Sequence, residues 1–561
     1  MNILPTLPTL CCLLLLPAPA VALQADAQSR DSQPETTAPV TAQPAEPPAA
    51  AVDSPELLTQ TIDQLIAAGW NTAGIQPTAD CSDEVFVRRV HLDLCGRIPT
   101  PAELSAFLQD GRQNRRWHLV NHLLQSEDYV QHFADNLDTL MMGRNGQRAY
   151  QQRRQHHWRT WLEGIIRDNR PWDDCVRTIL LARPEDERDR GAVWFLYERK
   201  NNFQKIAEEL APAFFGIRIE CAQCHDHMVA SEIEQAHYWG LVAFFNRGTN
   251  AETPKGVRIS ESAIGGFSEF ANLEGNSTPN LLTFFASTTV PEERPADGGK
   301  QEDKDDLYQA SAIEGEPRIP IFSRRQAFVN QVLLDHPLIA RAFVNRVWAL
   351  LLGRGIVHPF DEMDSAHPPS HPELLDALAN EFRTSGYDIR RLVRSIILCR
   401  AYQLDSRRPQ GGDDPSTFAW GLEKPLTAEQ YVRSLQIALR SQSQLDEELL
   451  HRFRDTFPEL LPETITTGVD DALFLANNTA FTDFIAASTA ADHLPQQIKS
   501  ENDLQQQIRT AWRAVYSRTP AADEVERMHS YLQSDTPETL SHRWQQALWA
   551  MLTSAEFRYN H

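Results

Sequence analysis

Apolar residues recur every three or four positions along most of the chain, which is the spacing of amphipathic helices. Leu58, Ile62 and Ile66 show it near the start, and the same spacing recurs up to about residue 248. It resumes near residue 321 and again characterises the chain from residue 504. We therefore expect a mainly α fold.

Three short patterns mark where helices should begin. Residues 100–103, 370–373 and 427–430 each carry Ser or Thr followed three positions later by Glu or Gln. In a capping box of this kind, the two side chains satisfy free backbone N–H groups at a helix start. We expect a helix to start at each of these sites.

The segment from 249 to 320 has a different composition. Gly, Ser, Thr and Pro become frequent, and residues 257–260 alternate between apolar and polar side chains. Such alternation predicts short strands, and the charged stretch that follows is typical of a linker. We expect two helical domains, at 56–248 and 321–561, joined by a flexible and partly β segment at 249–320.

The N-terminal residues resemble an export signal. The first 25 residues carry no charge, and an apolar run is followed by Ala-Val-Ala at 20–22. This predicts a signal peptide at 1–22, and the polar, Pro-rich residues 23–55 predict a disordered linker. We expect an exported protein, periplasmic or extracellular, and no transmembrane segment, since no other run reaches 18 apolar residues.

The net charge narrows the range of partners. The chain has 76 acidic and 53 basic side chains, a net charge of −23. Nucleic-acid binding needs a basic surface, so we expect no nucleic-acid partner. An anionic membrane surface is disfavoured for the same reason.

The most informative motif is Cys-Ala-Gln-Cys-His at 221–225, the attachment pattern for c-type haem. The thiols of Cys221 and Cys224 can add to the two vinyl groups of one porphyrin, and His225 can bind the iron. This predicts a cytochrome-like electron carrier or the haem-bearing part of an oxidoreductase, with an unknown redox partner protein. Four side chains are candidates for the sixth iron ligand: Met141, Met142, His237 and Met363.

Two other uses of the same residues remain open. Cys221, Cys224, His225 and His227 are suitable zinc ligands, and Asp226 can bind the metal or orient a ligand. Alternatively, Cys221 and Cys224 form a disulfide bond. Either use would suit a non-enzymatic protein of the cell envelope. The sequence contains no hydrolase or kinase motif, so it does not decide whether the chain is an enzyme.

Other polar and sulfur-bearing residues suggest secondary sites. Asp361, Asp364, His367 and His371 lie within eleven positions, as in a metal or acid–base site, although a polar loop would look the same. An exported protein can oxidise its cysteines, and Cys81 with Cys95 is a plausible pair. The sequence does not assign partners to Cys175 and Cys399.

Part of the chain is repeated. Residues 96–103 resemble 517–524, and residues 126–129 resemble 554–557 at a similar distance downstream. Two copies of one helical unit would explain this, and so would a shared pattern of helix caps.

Several motifs together resemble a family of secreted planctomycete proteins. They lie at 92–100, 215–227, 239–245, 336–341, 345–348, 353–357, 369–375 and 552–557. This family pairs a cytochrome-type domain of unknown function with a C-terminal companion domain of unknown function. The resemblance implies export, a helical fold and cytochrome-like character, without an established activity.

Overall fold

Helices dominate the chain, as the hydrophobic spacing predicted. The computed structural model describes residues 55–561 apart from 185, 297–300, 311–313, 335, 411, 441–445, 455, 458–459, 462–473, 476–478, 487 and 534–535. The predicted signal peptide at 1–22 and nearly all of the predicted linker at 23–55 lie outside the described residues.

Ten α-helices precede the Cys motif in the described part of the chain, and an eleventh follows it. Their bounds are α1 Pro55–Ala73, α2 Asp83–Cys95, α3 Pro101–Gln109, α4 Arg115–Leu123, α5 Glu127–Met142, α6 Gly146–Gln155, α7 Trp158–Arg167, α8 Trp172–Leu181, α9 Trp194–Tyr197, α10 Phe203–Leu210 and α11 Gln235–Phe245. Helix α3 starts at the predicted capping box, in which Thr100 and Glu103 each bond the other's backbone.

Helices resume after the strand-bearing segment. They are α12 Arg324–Phe328, α13 Pro337–Leu352, α14 Pro372–Thr384, α15 Ile389–Leu398, α16 Ala428–Arg440, α17 Glu447–Arg454, α18 Thr479–Ala486, α19 Leu494–Ser500, α20 Leu504–Tyr516, α21 Ala522–Leu532, α22 Pro537–Thr553 and α23 Ala555–Arg558. The predicted capping box at 427–430 is present, since Thr427 and Gln430 exchange side-chain to backbone hydrogen bonds.

The strands form small antiparallel pairs. They are β1 Gly248–Thr253 with β2 Gly256–Glu261, β3 Glu269–Ala271 with β4 Ser277–Pro279, and β5 Lys424–Pro425 with β6 Tyr559–Asn560. The first two pairs occupy the segment for which strands were predicted. The third joins the C-terminal residues to the start of the helices near residue 428.

Buried apolar side chains form two clusters. The larger runs from Leu58 to Trp420 and so includes side chains from both predicted helical domains and the segment between them. The smaller contains side chains from Leu426 to Phe557, together with Leu92 and Ile98. The domain boundaries at 248 and 321 stay predictions, because the larger cluster is continuous across them.

The repeated sequence adopts the same local structure twice. Arg97 binds Glu103 through two nitrogens and Asp128 through Nε. In the second copy, Arg518 binds Glu524 through two nitrogens and Glu556 through Nε. The agreement extends beyond the caps, so shared helix-start patterns alone do not explain it.

Among the residues that the structure describes, no helix has both the length and the apolar character needed to cross a membrane.

The predicted pairing of Cys81 with Cys95 is wrong. The two residues lie just before the start and at the end of α2, which is 13 residues long. With a rise of 1.5 Å per residue their Cα atoms are about 20 Å apart, whereas a disulfide requires less than about 7 Å. Both are buried free thiols.

Candidate functional site

The Cys motif lies in a short turn between two buried helical segments. A π-helical turn, Ala211–Phe215, ends at Gly216, and a 3-10 helix follows at Glu220–Gln223. Cys221 lies in this 3-10 helix, and Cys224 is the residue that ends it. Both are exposed free thiols.

His225 is oriented by the backbone beside it. Its Nδ1 lies 2.7 Å from the carbonyl oxygen of Asp226. A carbonyl oxygen only accepts hydrogen bonds, so Nδ1 carries the proton and Nε2 keeps its lone pair in the neutral ring. Histidine ligands of metals commonly have this arrangement, with one nitrogen bonded to a carbonyl and the other free to coordinate.

The next two polar residues hold the loop together. Asp226 Oδ1 accepts a hydrogen bond from the backbone N–H of Gln235 at 2.8 Å, and His227 Nδ1 accepts one from Ala230 at 3.0 Å. Among the described residues, no three His, Cys, Asp or Glu side chains are grouped to hold a metal ion. Zinc binding by His225, His227 and Asp226 therefore stays a prediction. It would require these side chains to turn toward one common point.

A hairpin is held against the motif, and exposed apolar side chains lie at the hairpin turn and directly after the motif in the chain. Gln235 Nε2 donates to the carbonyl oxygens of both Gln223 and Ala271, each at 3.1 Å, which holds the β3–β4 hairpin against the motif. Met228 and Val229 are 81% and 66% exposed, and Leu273 at the hairpin turn is 77% exposed. Exposed apolar side chains of this size commonly mark a binding surface.

The acidic and histidine-containing loop at 358–371, here called the companion loop, is held by specific side-chain contacts. His367 lies between two carboxylates, with Nδ1 2.9 Å from Asp364 and Nε2 3.1 Å from Glu362. Asp361 forms an ion pair with Arg218 at 2.9 Å. Sequence reasoning identified Asp361, Asp364 and His367 but missed Glu362.

His371 does not join this group. Its ring lies against Phe418 and leaves no room for a Cβ on Gly69 of α1. The predicted capping box at 370–373 is wrong, since the helix begins one residue later, with His371 at the N-cap and no side-chain cap bond. The Ser370 hydroxyl donates to the carbonyl oxygen of Ile356 instead. Burial lowers the pKa of His371 below its usual value.

The companion loop contacts the segment that carries the Cys motif. Met363 N–H donates to the Gly216 carbonyl oxygen at 2.8 Å, and the N–H and hydroxyl of Ser365 both donate to Glu232 at 2.7 Å. Burial alone would raise the pKa of Glu232, but these bonds and the nearby His227 lower it. The two predicted sites are therefore neighbours, which no sequence pattern indicated.

Comparison with known families identifies both halves of this arrangement. The family PSCyt2, described as a protein of unknown function (DUF1549), matches residues 61–250. PSD1, described as a protein of unknown function (DUF1553), matches residues 324–447. Together the matches cover more than half of the chain, in the order that the resemblance implied.

This chain belongs to the two-domain family that joins PSCyt2 to PSD1. The Cys motif lies within the PSCyt2 match and the companion loop within the PSD1 match. No curated protein and no solved structure matches the chain.

Within the PSCyt2 part, the candidate sixth ligands have other contacts. Met141 and Met142 are buried, and the sulfur of Met142 accepts a hydrogen bond from Arg199 at 3.1 Å. His237 Nδ1 accepts a bond from the backbone of Glu234 at 3.0 Å. In the PSD1 part, Met363 packs tightly against Gly216. Each would have to give up a contact to bind iron.

Proposed function

We propose that this protein is an exported, cytochrome-like electron carrier with covalent haem c at Cys221, Cys224 and His225. The observation that carries the proposal is the geometry of the turn: two exposed thiols three positions apart, followed by an imidazole whose Nε2 is available. Bound there, haem supplies a one-electron iron couple.

Each nearby residue has a role under this proposal. Cys221 and Cys224 would hold the porphyrin by adding their thiols to its two vinyl groups, and His225 Nε2 would bind the iron. The Asp226 carbonyl keeps the proton on Nδ1 and raises the basicity of Nε2. Met228, Val229 and Leu273, which are exposed without haem, would supply apolar contacts to the macrocycle.

The test is to produce the chain in a host that exports proteins and matures c-type cytochromes. We expect a Soret band that survives acid–acetone extraction and one iron per chain. The double variant Cys221→Ser/Cys224→Ser should lose both. The matched variant Cys399→Ala, which changes a buried thiol outside the motif, should keep both while helical circular dichroism remains unchanged.

The alternatives give different results. Colourless wild-type protein with one zinc per chain would support a structural metal, and colourless protein with neither metal would support a disulfide. Both would contradict the haem proposal and favour an envelope protein without redox function. Acid–acetone-stable colour in the Cys221→Ser/Cys224→Ser variant would also contradict it.

A further inference from the structure

A second cavity, of about 500 Å³, lies away from the Cys motif. Its walls come from the end of α8, strand β2, the segment before α12 and the start of α12 itself. This volume is within the range of pockets that hold small organic molecules. We call it the cationic cavity, because its lining has six basic side chains against four acidic ones. The basic side chains are Arg183, Arg190, Lys255, Arg258, Arg318 and Arg325, and the acidic ones are Asp186, Glu187, Glu261 and Glu316.

The most buried part of the cavity lining, formed by Arg183, Arg325 and Glu261, has more positive than negative charge. Arg183 and Arg325 share one carboxylate, Glu261, which also accepts hydrogen bonds from Ser323 and the backbone N–H of Arg324. The side chains of Glu261 and Arg325 are each 1% exposed. Two guanidinium groups therefore face one fully occupied carboxylate in a region with little water.

The pKa values agree with this excess of positive charge. Burial and then the charge of Arg325 lower the pKa of Arg183 to about 10, although Glu261 opposes the shift. Burial also lowers the pKa of Arg325. A bound anion would stabilise both cations, because it supplies the negative charge that the wall lacks.

A second group of lining side chains, Arg258, Lys255 and Glu316, also has more positive than negative charge. Arg258 binds Glu316 through Nε and Nη2 at 2.6 and 2.8 Å, and Lys255 lies 3.8 Å from the same carboxylate. The cations again outnumber the carboxylate. This local excess runs against the net charge of −23, so it does not follow from a generally basic surface.

Arg183 also has hydrogen-bond donors to spare. Within the described part of the chain, its hydrogen bonds to Glu261 and Ser323 both use Nη2. Nε and Nη1 are thus left to donate into the cavity that Arg183 lines. The bonds through Nη2 hold the guanidinium in place, so little conformational entropy is lost when a ligand binds. Ile259, Pro317 and Ile319 supply an apolar part of the lining.

We propose that the cationic cavity binds a small organic anion through a carboxylate, sulfate or phosphate group. Arg183 donates hydrogen bonds to the anionic group, Arg325 and Arg258 stabilise its charge, and the apolar side chains contact its carbon skeleton. The site is independent of haem binding, and its failure would leave the proposed electron carrier unaffected.

The test is calorimetric titration of the full chain with galacturonate, galactose 6-sulfate and glucose 6-phosphate, using galactose and glucose as neutral controls. We expect saturable binding of at least one anion, weakened by added NaCl, and none of the neutral sugars. Arg183→Gln should weaken binding by roughly tenfold or more, the effect of losing hydrogen bonds to a charged group.

Two more variants separate binding from folding and from general charge. Arg318→Gln changes a cavity side chain that is 44% exposed, so it should fold normally and weaken binding about threefold. Arg527→Gln removes a cation that is 45% exposed and pairs with Asp523; neither residue lines the cavity, so affinity should stay the same. The proposal is overturned if no anion binds, if neutral sugars bind equally, or if Arg527→Gln weakens binding as much as Arg183→Gln.

Discussion

Single buried residues carry much of the pH sensitivity that we expect of this protein. His132 is fully buried in α5, and its ring fills the space beside Gly96 where a Cβ would otherwise lie. Burial, and then the positive charge of Arg433, lower its pKa to about 3, although Asp135 and Glu429 oppose the shift. The folded protein therefore holds this imidazole neutral down to strongly acidic pH.

We predict that acid destabilises the protein through His132. The unfolded chain binds a proton at this residue below about pH 6.5, whereas the folded chain does so only near pH 3, so stability falls as pH falls through this interval. At pH 4.5 the loss from this residue alone is about 2–3 kcal/mol. Urea unfolding at pH 7 and pH 4.5 measures it.

The test compares how much the free energy of unfolding changes between pH 7 and pH 4.5, rather than its absolute value. His132→Asn should reduce the pH dependence by about the same 2–3 kcal/mol, whatever it costs at pH 7. His542→Asn changes an exposed histidine and should leave the slope unchanged. Equal slopes in wild type and His132→Asn would show that the ring is not held neutral.

At the scale of residues, the sequence identified candidate site residues but not which of them lie close together in the fold. The spacing of Cys221, Cys224 and His225 is local, so it could be identified from the chain alone. The contact of Ser365 with Glu232 spans 133 positions, and neither residue belongs to a periodic pattern. Such a contact depends on how distant helices pack, which residue types do not reveal.

At the scale of elements, the two copies of the repeat differ at the helix start. Thr100 Oγ1 accepts a hydrogen bond from the N–H of Glu103 at 3.2 Å. Ala521 occupies the same place in the second copy and has no side-chain oxygen. The backbone is the same at both, with φ −67° and ψ 157° at Thr100 and φ −68° and ψ 159° at Ala521.

We predict opposite effects from exchanging these residues. Thr100→Ala should cost about 1 kcal/mol, the usual value of an N-cap hydrogen bond, and Ala521→Thr should gain roughly 0.5–1 kcal/mol. The midpoint of urea unfolding measures both. A loss of stability in Ala521→Thr would mean that the second copy cannot accept the cap despite its matching backbone.

Helix positions were more predictable than helix caps. Helix α13 runs between His336 and Gly353 as its apolar spacing indicated, because its buried face is set by residues within the helix. The cap at Ser370 failed because the helix begins at Pro372, so His371 rather than Ser370 occupies the N-cap. A cap pattern predicts a hydrogen bond only when the helix begins directly after the Ser or Thr, and a shift of one residue removes it.

At the scale of the whole molecule, the PSCyt2 and PSD1 parts share one apolar core. The rings of Trp172 and Phe343 lie 4.3 Å apart, and those of Phe215 and Phe328 lie 6.2 Å apart. Arg346 of α13 is buried and donates to the carbonyl oxygens of Pro212 and Ala213, just before the Cys motif. The segment carrying the motif is thus supported by the PSD1 part.

We predict that residues 55–320 do not fold alone. Removing the PSD1 part would expose these aromatic rings to water and take away the hydrogen bonds from Arg346 to the π-helical turn, so the remaining part would lose a shared portion of its apolar core. Residues 55–561 should show a cooperative thermal transition by circular dichroism. A comparably sharp transition in 55–320 would contradict this and would support the boundary predicted at 248.

The unequal burial of the cysteines makes the motif chemically addressable. Burial raises the pKa of Cys95 and of Cys399 to about 12 and also raises those of Cys81 and Cys175, so these four thiols form little thiolate. Cys221 and Cys224 are exposed. Within residues 55–561, iodoacetamide added to the native, reduced protein should therefore alkylate only the two motif cysteines. The gain in mass then shows how many of these two thiols were free to react.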